Sequence, residues 1–139
     1  MRALGLDVGS KTIGVAITDE ANIAAHPLEV IERRGTDTDV SAIQTLVAKH
    51  DISDVVIGMP FELSGKIGHR ARLVTGFGDV LRVQLPAVKF HDQDERFTTA
   101  EAQRVLLTAD LSRAKRKSVI DQQAAALILQ TWLDLERSK

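Results

Sequence analysis

Apolar residues fall along this chain in two rhythms, one of period two and one of period about 3.6. Ala3 to Val8 is a short apolar run broken by a single aspartate and reads as a buried strand. Gly9-Ser10-Lys11-Thr12 is a turn, and Ile13, Val15 and Ile17 then alternate with smaller residues, the pattern of a second strand folding back on the first. After a turn over Asp19 to Asn22, Ile23 to Ile31 forms a third run. Pro27 interrupts it, which places that strand at a sheet edge or puts a bulge in it.

The rhythm then changes. Thr36 to Asp39 offers helix caps, and Val40, Ile43, Leu46 and Val47 keep helical spacing to about His50. Asp54 to Gly58 reads as a buried strand leading into a loop over Met59 to Lys66. A helix is expected from about Gly68 to Leu85, with Leu73, Phe77, Val80 and Leu81 on its apolar face. Gly76 and Gly78 weaken it by roughly 1 kcal/mol each relative to alanine. Ala87 to Phe90 is a fifth strand. Thr98 and Glu101 make a capping box for a helix to about Thr108. Arg113 to Lys117 reads as a basic connector, after which Ser118 caps a last helix from Val119 to about Glu136.

Three strands joined by short turns must run antiparallel. Two later strands separated by helices can run parallel. The expectation is an α/β fold: a mixed five-stranded sheet, three strands antiparallel and two parallel, flanked by helices. No repeat, low-complexity stretch or linker divides residues 1–139, so one domain is expected.

Composition narrows the function classes. The chain has no cysteine, which removes disulfides, thiolate nucleophiles and cysteine zinc sites and fits a cytoplasmic location. No signal peptide is visible, and the longest apolar run, Ala124 to Leu129, falls far short of the ~20 residues of a membrane span. The net charge of −1 gives no global case for a nucleic-acid partner, so any such case rests on local clusters.

Three carboxylates stand out. Asp7 sits inside an apolar strand, where a carboxylate is costly unless paired, hydrogen-bonded or metal-bound; a turn-forming role and a site role both fit it. Glu95 follows the fifth strand in Asp92-Gln93-Asp94-Glu95-Arg96, at the kind of strand end where open α/β sheets bind ligands; a solvated acidic loop is the bland alternative. Asp121, expected in the first turn of the last helix, would be favoured there by the helix dipole alone. It nevertheless shares one helix face with Ala124, Ala125, Ile128 and Trp132, a face directed at the sheet, where the small alanines would allow close approach. Together the three acids form an oxygen-rich set suited to Mg²⁺ or Mn²⁺. Two such ions about 3.5–4 Å apart clamp the attacking and leaving oxygens of a phosphodiester without a serine, cysteine or histidine nucleophile.

Four blocks give a specific resemblance. They are Leu4 to Ala16; Val56-Ile57-Gly58-Met59-Pro60 with Ser64-Gly65; Asp94-Glu95-Arg96-Phe97-Thr98-Thr99-Ala100-Glu101-Ala102; and Lys117 to Asp121 followed by Ala124-Ala125 and Ile128-Leu129-Gln130. In this order they resemble the YqgF/RuvX family, relatives of the RuvC Holliday-junction resolvases. The resemblance implies an RNase H-like fold, metal-dependent nuclease activity, and metal-binding catalytic acids at Asp7, Glu95 and Asp121. One departure is visible: Gln93-Asp94 looks like a two-residue insertion ahead of Glu95, which leaves the parts of Asp92 and Asp94 open.

Basic residues gather near these acids. Arg113, Lys115, Arg116 and Lys117 lie just before Asp121, while Lys66, His69, Arg70 and Arg72 follow the Ser64-Gly65 loop; Lys11 and Arg96 are further candidates for phosphate contacts. His91 reads as a partly buried structural histidine and Trp132 as core. Two rival functions exist. Asp7-Val8-Gly9 on a hairpin also resembles the first phosphate motif of the actin and sugar-kinase superfamily, but those proteins need two such domains. A non-catalytic nucleic-acid or ribosome-associated module would gain nothing from three acids near phosphates. The resemblance offers two substrates, the 5′ end of precursor 16S rRNA and a four-way DNA junction. Symmetric junction cutting requires a homodimer, whereas trimming RNA requires one site, and the absence of an added dimerisation helix favours RNA.

Overall fold

The computed structural model describes residues 2–60, 68–94 and 113–138, and of 113–122 the backbone only. Five strands, β1 (Ala3–Val8), β2 (Thr12–Thr18), β3 (Ala25–Glu32), β4 (Asp54–Met59) and β5 (Lys89–Asp94), form one sheet in the order β3-β2-β1-β4-β5. β1 pairs antiparallel with β2 and β2 with β3, while β4 runs parallel to both β1 and β5. This is the mixed sheet the pattern predicts. Pro27 does both things expected of it: β3 is an edge strand, and its register slips opposite Val15 and Ala16, which pair with Glu29 and Pro27 and leave Leu28 over.

Alternation along the strands divides the core in two. Leu4, Leu6 and Val8 of β1, with Val55, Ile57 and Met59 of β4, join a cluster with helices α1 (Thr36–His50) and α2 (His69–Gln84). Ala3 and Ala16, with Val56, face α3 (Arg113–Arg137) through Ala125, Ile128, Leu129 and Trp132. Asp7 has the parity of Ala3 and Gly5 and so belongs to the α3 side of the sheet.

Gly5 is where α3 comes nearest. A Cβ there would lie 2.7 Å from the Leu129 Cβ and 2.9 Å from the Ala125 carbonyl oxygen. Gly78 plays the same part for α2, since its added Cβ would meet the Ile57 Cδ1 at 3.3 Å, while Gly76 faces open space. The buried stripe of α2 is therefore Ala71, Val74, Phe77, Gly78 and Leu81. Leu73, expected in the core, is 46% exposed instead. The small residues Ala71 and Gly78 let the helix rest on that stripe, which turns Leu73 away from the core.

Three boundaries differ from expectation. β5 does not stop at Phe90 but continues through His91, Asp92, Gln93 and Asp94, paired in register with Val56 to Met59. An edge strand needs only backbone partners on one side, so its side chains can be polar. The two residues read as an insertion thus lengthen a strand. The last helix starts at Arg113, so the basic segment is its opening and no connector, and Ser118 lies within it rather than capping it. No glycine or proline interrupts 113–137, and arginine, alanine and lysine are strong helix formers. In α1 the N-cap is Gly35 at φ 123°, with no side-chain cap, although Thr36 to Asp39 had offered several. The helix expected from Thr98 to Thr108 lies outside the described residues.

Candidate active site

Asp7 is the penultimate residue of β1, paired with Gly14 across the hairpin and 9% exposed. The strand ladder fixes its backbone, and its side chain stands at the end of the sheet where β1 gives way to a turn. That turn is closed by the Gly9 N–H, which donates to the Thr12 carbonyl at 2.8 Å. Around it lies an open cavity of about 520 Å³, lined by Val8, Gly9, Ser10, Lys11, Thr12, His69, Arg70 and Leu73. Arg70, in the first turn of α2, reaches across and donates through Nη2 to the Asp7 Oδ1 at 3.3 Å. The buried carboxylate therefore has a charged partner, and that partner's side chain is half exposed.

A second network holds the turn from behind. Arg33 donates through Nη1 to the Gly9 carbonyl (3.1 Å) and through Nε to the Asp39 Oδ2 (3.0 Å). Its backbone N–H bonds the Lys11 carbonyl at 2.9 Å, and its guanidinium lies 5.1 Å over the Phe77 ring. Asp39, 1% exposed, also accepts from the Arg34 backbone N–H at 3.0 Å. A buried acid at the start of α1 thus anchors an arginine that supports the segment carrying Lys11. Sequence reading placed Asp39 among helix caps and passed over Arg33. The one available signal was the pair Arg33-Arg34 just before Gly35, with an acid close behind.

Of the three predicted acids, Asp7 has a described side chain. β5 ends at Asp94, paired with Met59, and Glu95 follows it outside the described residues. Asp121 belongs to the backbone of α3, roughly two turns from its start rather than in the first turn, so proximity to the helix terminus accounts for it less well. The direction of α3 matters here. Gln130 accepts from the Ala25 N–H, and Ala25 pairs with Thr18 at the sheet end opposite Asp7. Ala125 lies at Gly5. The chain before Ala125, and with it the backbone of Asp121, therefore runs toward the Asp7 end.

Among the basic candidates, Lys11 and Arg70 line the cavity, with His69 beside them. Arg72 is exposed on α2. Arg113, Lys115, Arg116 and Lys117 occupy the opening turns of α3, while Lys66 and Arg96 lie outside the described residues. His91 has the structural role expected of it. Its Nε2 is 2.9 Å from the Asp54 Oδ1, the other Asp54 oxygen accepts from the Ser53 hydroxyl at 2.6 Å, and its ring packs 4.8 Å from Trp132. Trp132 is buried, as core.

Among the described residues no group of three acidic or histidine side chains comes together. The chemistry of Asp7 still fits a hard divalent cation: it presents a buried carboxylate near the end of β1, and oxygen ligands are what Mg²⁺ and Mn²⁺ prefer.

The family model of RuvX, described as Holliday junction resolvase, matches residues 1–135. The chain belongs to the RuvX family. It is 44% identical over 140 residues to a protein of Desulforudis audaxviator named "Putative pre-16S rRNA nuclease", covering 99% of this chain and 97% of that one. A Caldanaerobacter subterraneus protein of the same name is 45% identical over 99% of both chains. Among solved structures, T. thermophilus RuvC in complex with a Holliday junction substrate superposes with a TM-score of 0.64 at 15% identity, covering all of this chain and 97% of the other. That likeness shows the RNase H-like fold. No helix among the described residues is long and apolar enough to cross a membrane.

Proposed function

We propose that this RuvX-family chain is a metal-dependent phosphodiester hydrolase that acts on precursor 16S rRNA, with Asp7, Glu95 and Asp121 as the metal-holding catalytic acids. The observation that carries the reading is the Asp7 carboxylate, buried at the C-terminal end of β1 and paired with Arg70, which itself lines the adjoining cavity together with Lys11. The names of relatives identical at 44–45% over nearly the whole chain support the nuclease class and the RNA substrate. The end of β5 at Asp94 and the course of α3 support Glu95 and Asp121 as the other two acids. A single sheet with a core on each face supports reading residues 1–139 as one functional unit.

Bound Mg²⁺ or Mn²⁺ would activate a water as nucleophile and neutralise charge at the leaving oxygen. The chain's own residues do the rest. The three carboxylates hold the cation. Lys11 and Arg70 bind substrate phosphate in the cavity, and the Arg33–Asp39 pair keeps the Lys11 turn in place. The opening turns of α3 add four basic residues along the track of the nucleic acid.

Glu95→Gln and Asp121→Asn are each expected to lower cleavage by orders of magnitude and to weaken Mn²⁺ binding in calorimetry. Asp94→Asn is expected to do neither, since Asp94 has the strand parity of Met59, on the side of the sheet away from α3. The opposite result would shift the second acid to Asp94. Neutralising Arg113, Lys115, Arg116 and Lys117 together is expected to weaken binding similarly across sequences. It should also flatten the salt dependence by roughly 0.7–0.9 in log–log slope per lost contact. An unchanged slope would make the opening of α3 plain solvated surface.

The deciding experiment presents precursor 16S rRNA and a four-way DNA junction to the protein at matched salt, with Mg²⁺ or Mn²⁺ and with Asp7→Asn as the blank. Cleavage of the RNA at its 5′ region is expected. Paired symmetric incisions in the junction, with the RNA left intact, would instead establish a resolvase working as a homodimer.

A further inference from the structure

Leu73 stands apart from other exposed apolar residues by its company. Single exposed leucines are ordinary on a protein surface. Leu73, however, lies four residues after His69 and three after Arg70, so the three share one face at the start of α2. All three line the cavity of about 520 Å³, together with Val8 and the turn residues Gly9, Ser10, Lys11 and Thr12. One wall system thus presents two cations, Lys11 and Arg70, and a leucine that is 46% exposed. Its volume falls in the range of about 300–1,000 Å³ usual for small-ligand sites.

That combination selects among occupants. A second copy of the chain in a two-fold contact would bring Lys11, His69, Arg70 and the exposed Arg72 against themselves, like charge on like. A bare phosphate would use the cations and leave Leu73 in water. A nucleotide uses both, because a base offers a flat face that packs on apolar surface and its phosphate is negative. That face is available only where the strand is unpaired and the base can be splayed out. We propose that this cavity seats one unpaired nucleotide of the substrate, its base against Leu73 and its phosphate against Lys11 and Arg70. The proposal rests on the nucleic-acid reading above and adds to it a preference for unpaired strand beside Asp7, whose Oδ1 lies 3.3 Å from the Arg70 Nη2. No contact has to be given up for this. A guanidinium carries five N–H donors, so Arg70 holds Asp7 and faces a phosphate at the same time. Leu73 selects the strand and takes no part in breaking the bond.

The test compares two short oligomers of equal length and charge, an oligouridylate and an abasic ribose-phosphate chain, with an RNA duplex as a third ligand. Binding to the full chain is followed by fluorescence anisotropy without divalent cation, so that nothing is cut. The proteins are the wild type, Leu73→Ser, Leu73→Met and Lys11→Ala, with thermal melts to establish folding. The wild type should bind the oligouridylate about threefold to tenfold more tightly than the abasic chain, the scale of covering part of a leucine side chain. Leu73→Ser should lose most of that difference and Leu73→Met should keep it, with duplex binding unchanged in both. Lys11→Ala should weaken both oligomers alike and lower the log–log salt slope by roughly 0.7. An undiminished difference in Leu73→Ser, or an equal loss on the duplex, overturns the nucleotide seat and leaves phosphate binding standing. A change from dimer to monomer in Leu73→Ser by sedimentation makes this surface an interface between copies and overturns the seat as well. A folded wild type that binds none of the three ligands overturns the nucleic-acid reading itself.

Discussion

Asp7→Asn will abolish metal-dependent cleavage while the protein stays folded. Asparagine has the size of aspartate but lacks the charge that a hard divalent cation requires, so the loss in turnover is expected to be several orders of magnitude. The stability effect should be small, within about 1 kcal/mol. The substitution weakens the ion pair with Arg70, but that guanidinium is half exposed, and the charge on the buried side is removed. Removing the other partner is different, since Arg70→Ala leaves the charge on the buried side. Parallel melting curves and single-turnover assays on the two variants check this. Wild-type cleavage by Asp7→Asn would remove the catalytic role from this end of the sheet.

Gly5 carries the largest expected stability effect. A Cβ at this position would meet the Leu129 Cβ at 2.7 Å and the Ala125 carbonyl at 2.9 Å. Neither atom is the far end of a flexible side chain, so α3 must move as a body. Gly5→Ala is expected to cost about 1–3 kcal/mol and lower the melting temperature by about 5–15 °C, and Gly5→Val more. Truncating Leu129 to alanine cannot relieve the strain, because the clash is with a Cβ and a backbone oxygen. Activity should fall further than stability alone explains, because α3 carries Asp121 toward the Asp7 end of the sheet. Scanning calorimetry together with activity measured well below the melting range separates the two effects. A melting temperature within about 2 °C of wild type in Gly5→Ala would show that α3 does not press on β1 as closely as described.

Much of this was legible along the chain, because strand and helix periodicities are local signals. Ala3 to Val8, the hairpin that follows it and the proline-marked edge strand read directly from alternation, and α1 from its 3.6-residue spacing. Asp7 announced itself as a charge inside an apolar strand, and the alanines of the last helix announced a close approach, realised at Ala125 over Gly5. The family resemblance rests on residues that are likewise visible in order.

Other features depended on contacts between segments remote in sequence. The polar run His91 to Asp94 has no strand signal of its own, and it is a strand because the edge of β4 supplies its hydrogen bonds. Leu73 has core spacing yet is exposed, because two small residues elsewhere on α2 set how that helix rests on the sheet. Arg33 and Asp39 are ordinary charges in the sequence. They become a buried clamp on the Gly9 turn only once β3 and α1 bring them behind it. Most of the strands and helices, and the one acid inside an apolar strand, were fixed locally, since periodicity and the cost of a buried charge act within a few residues. That Arg70, remote in sequence from Asp7, reaches its carboxylate came from packing instead, because an arginine on a helix can reach many acids and the seating of α2 at the sheet end brings it to this one.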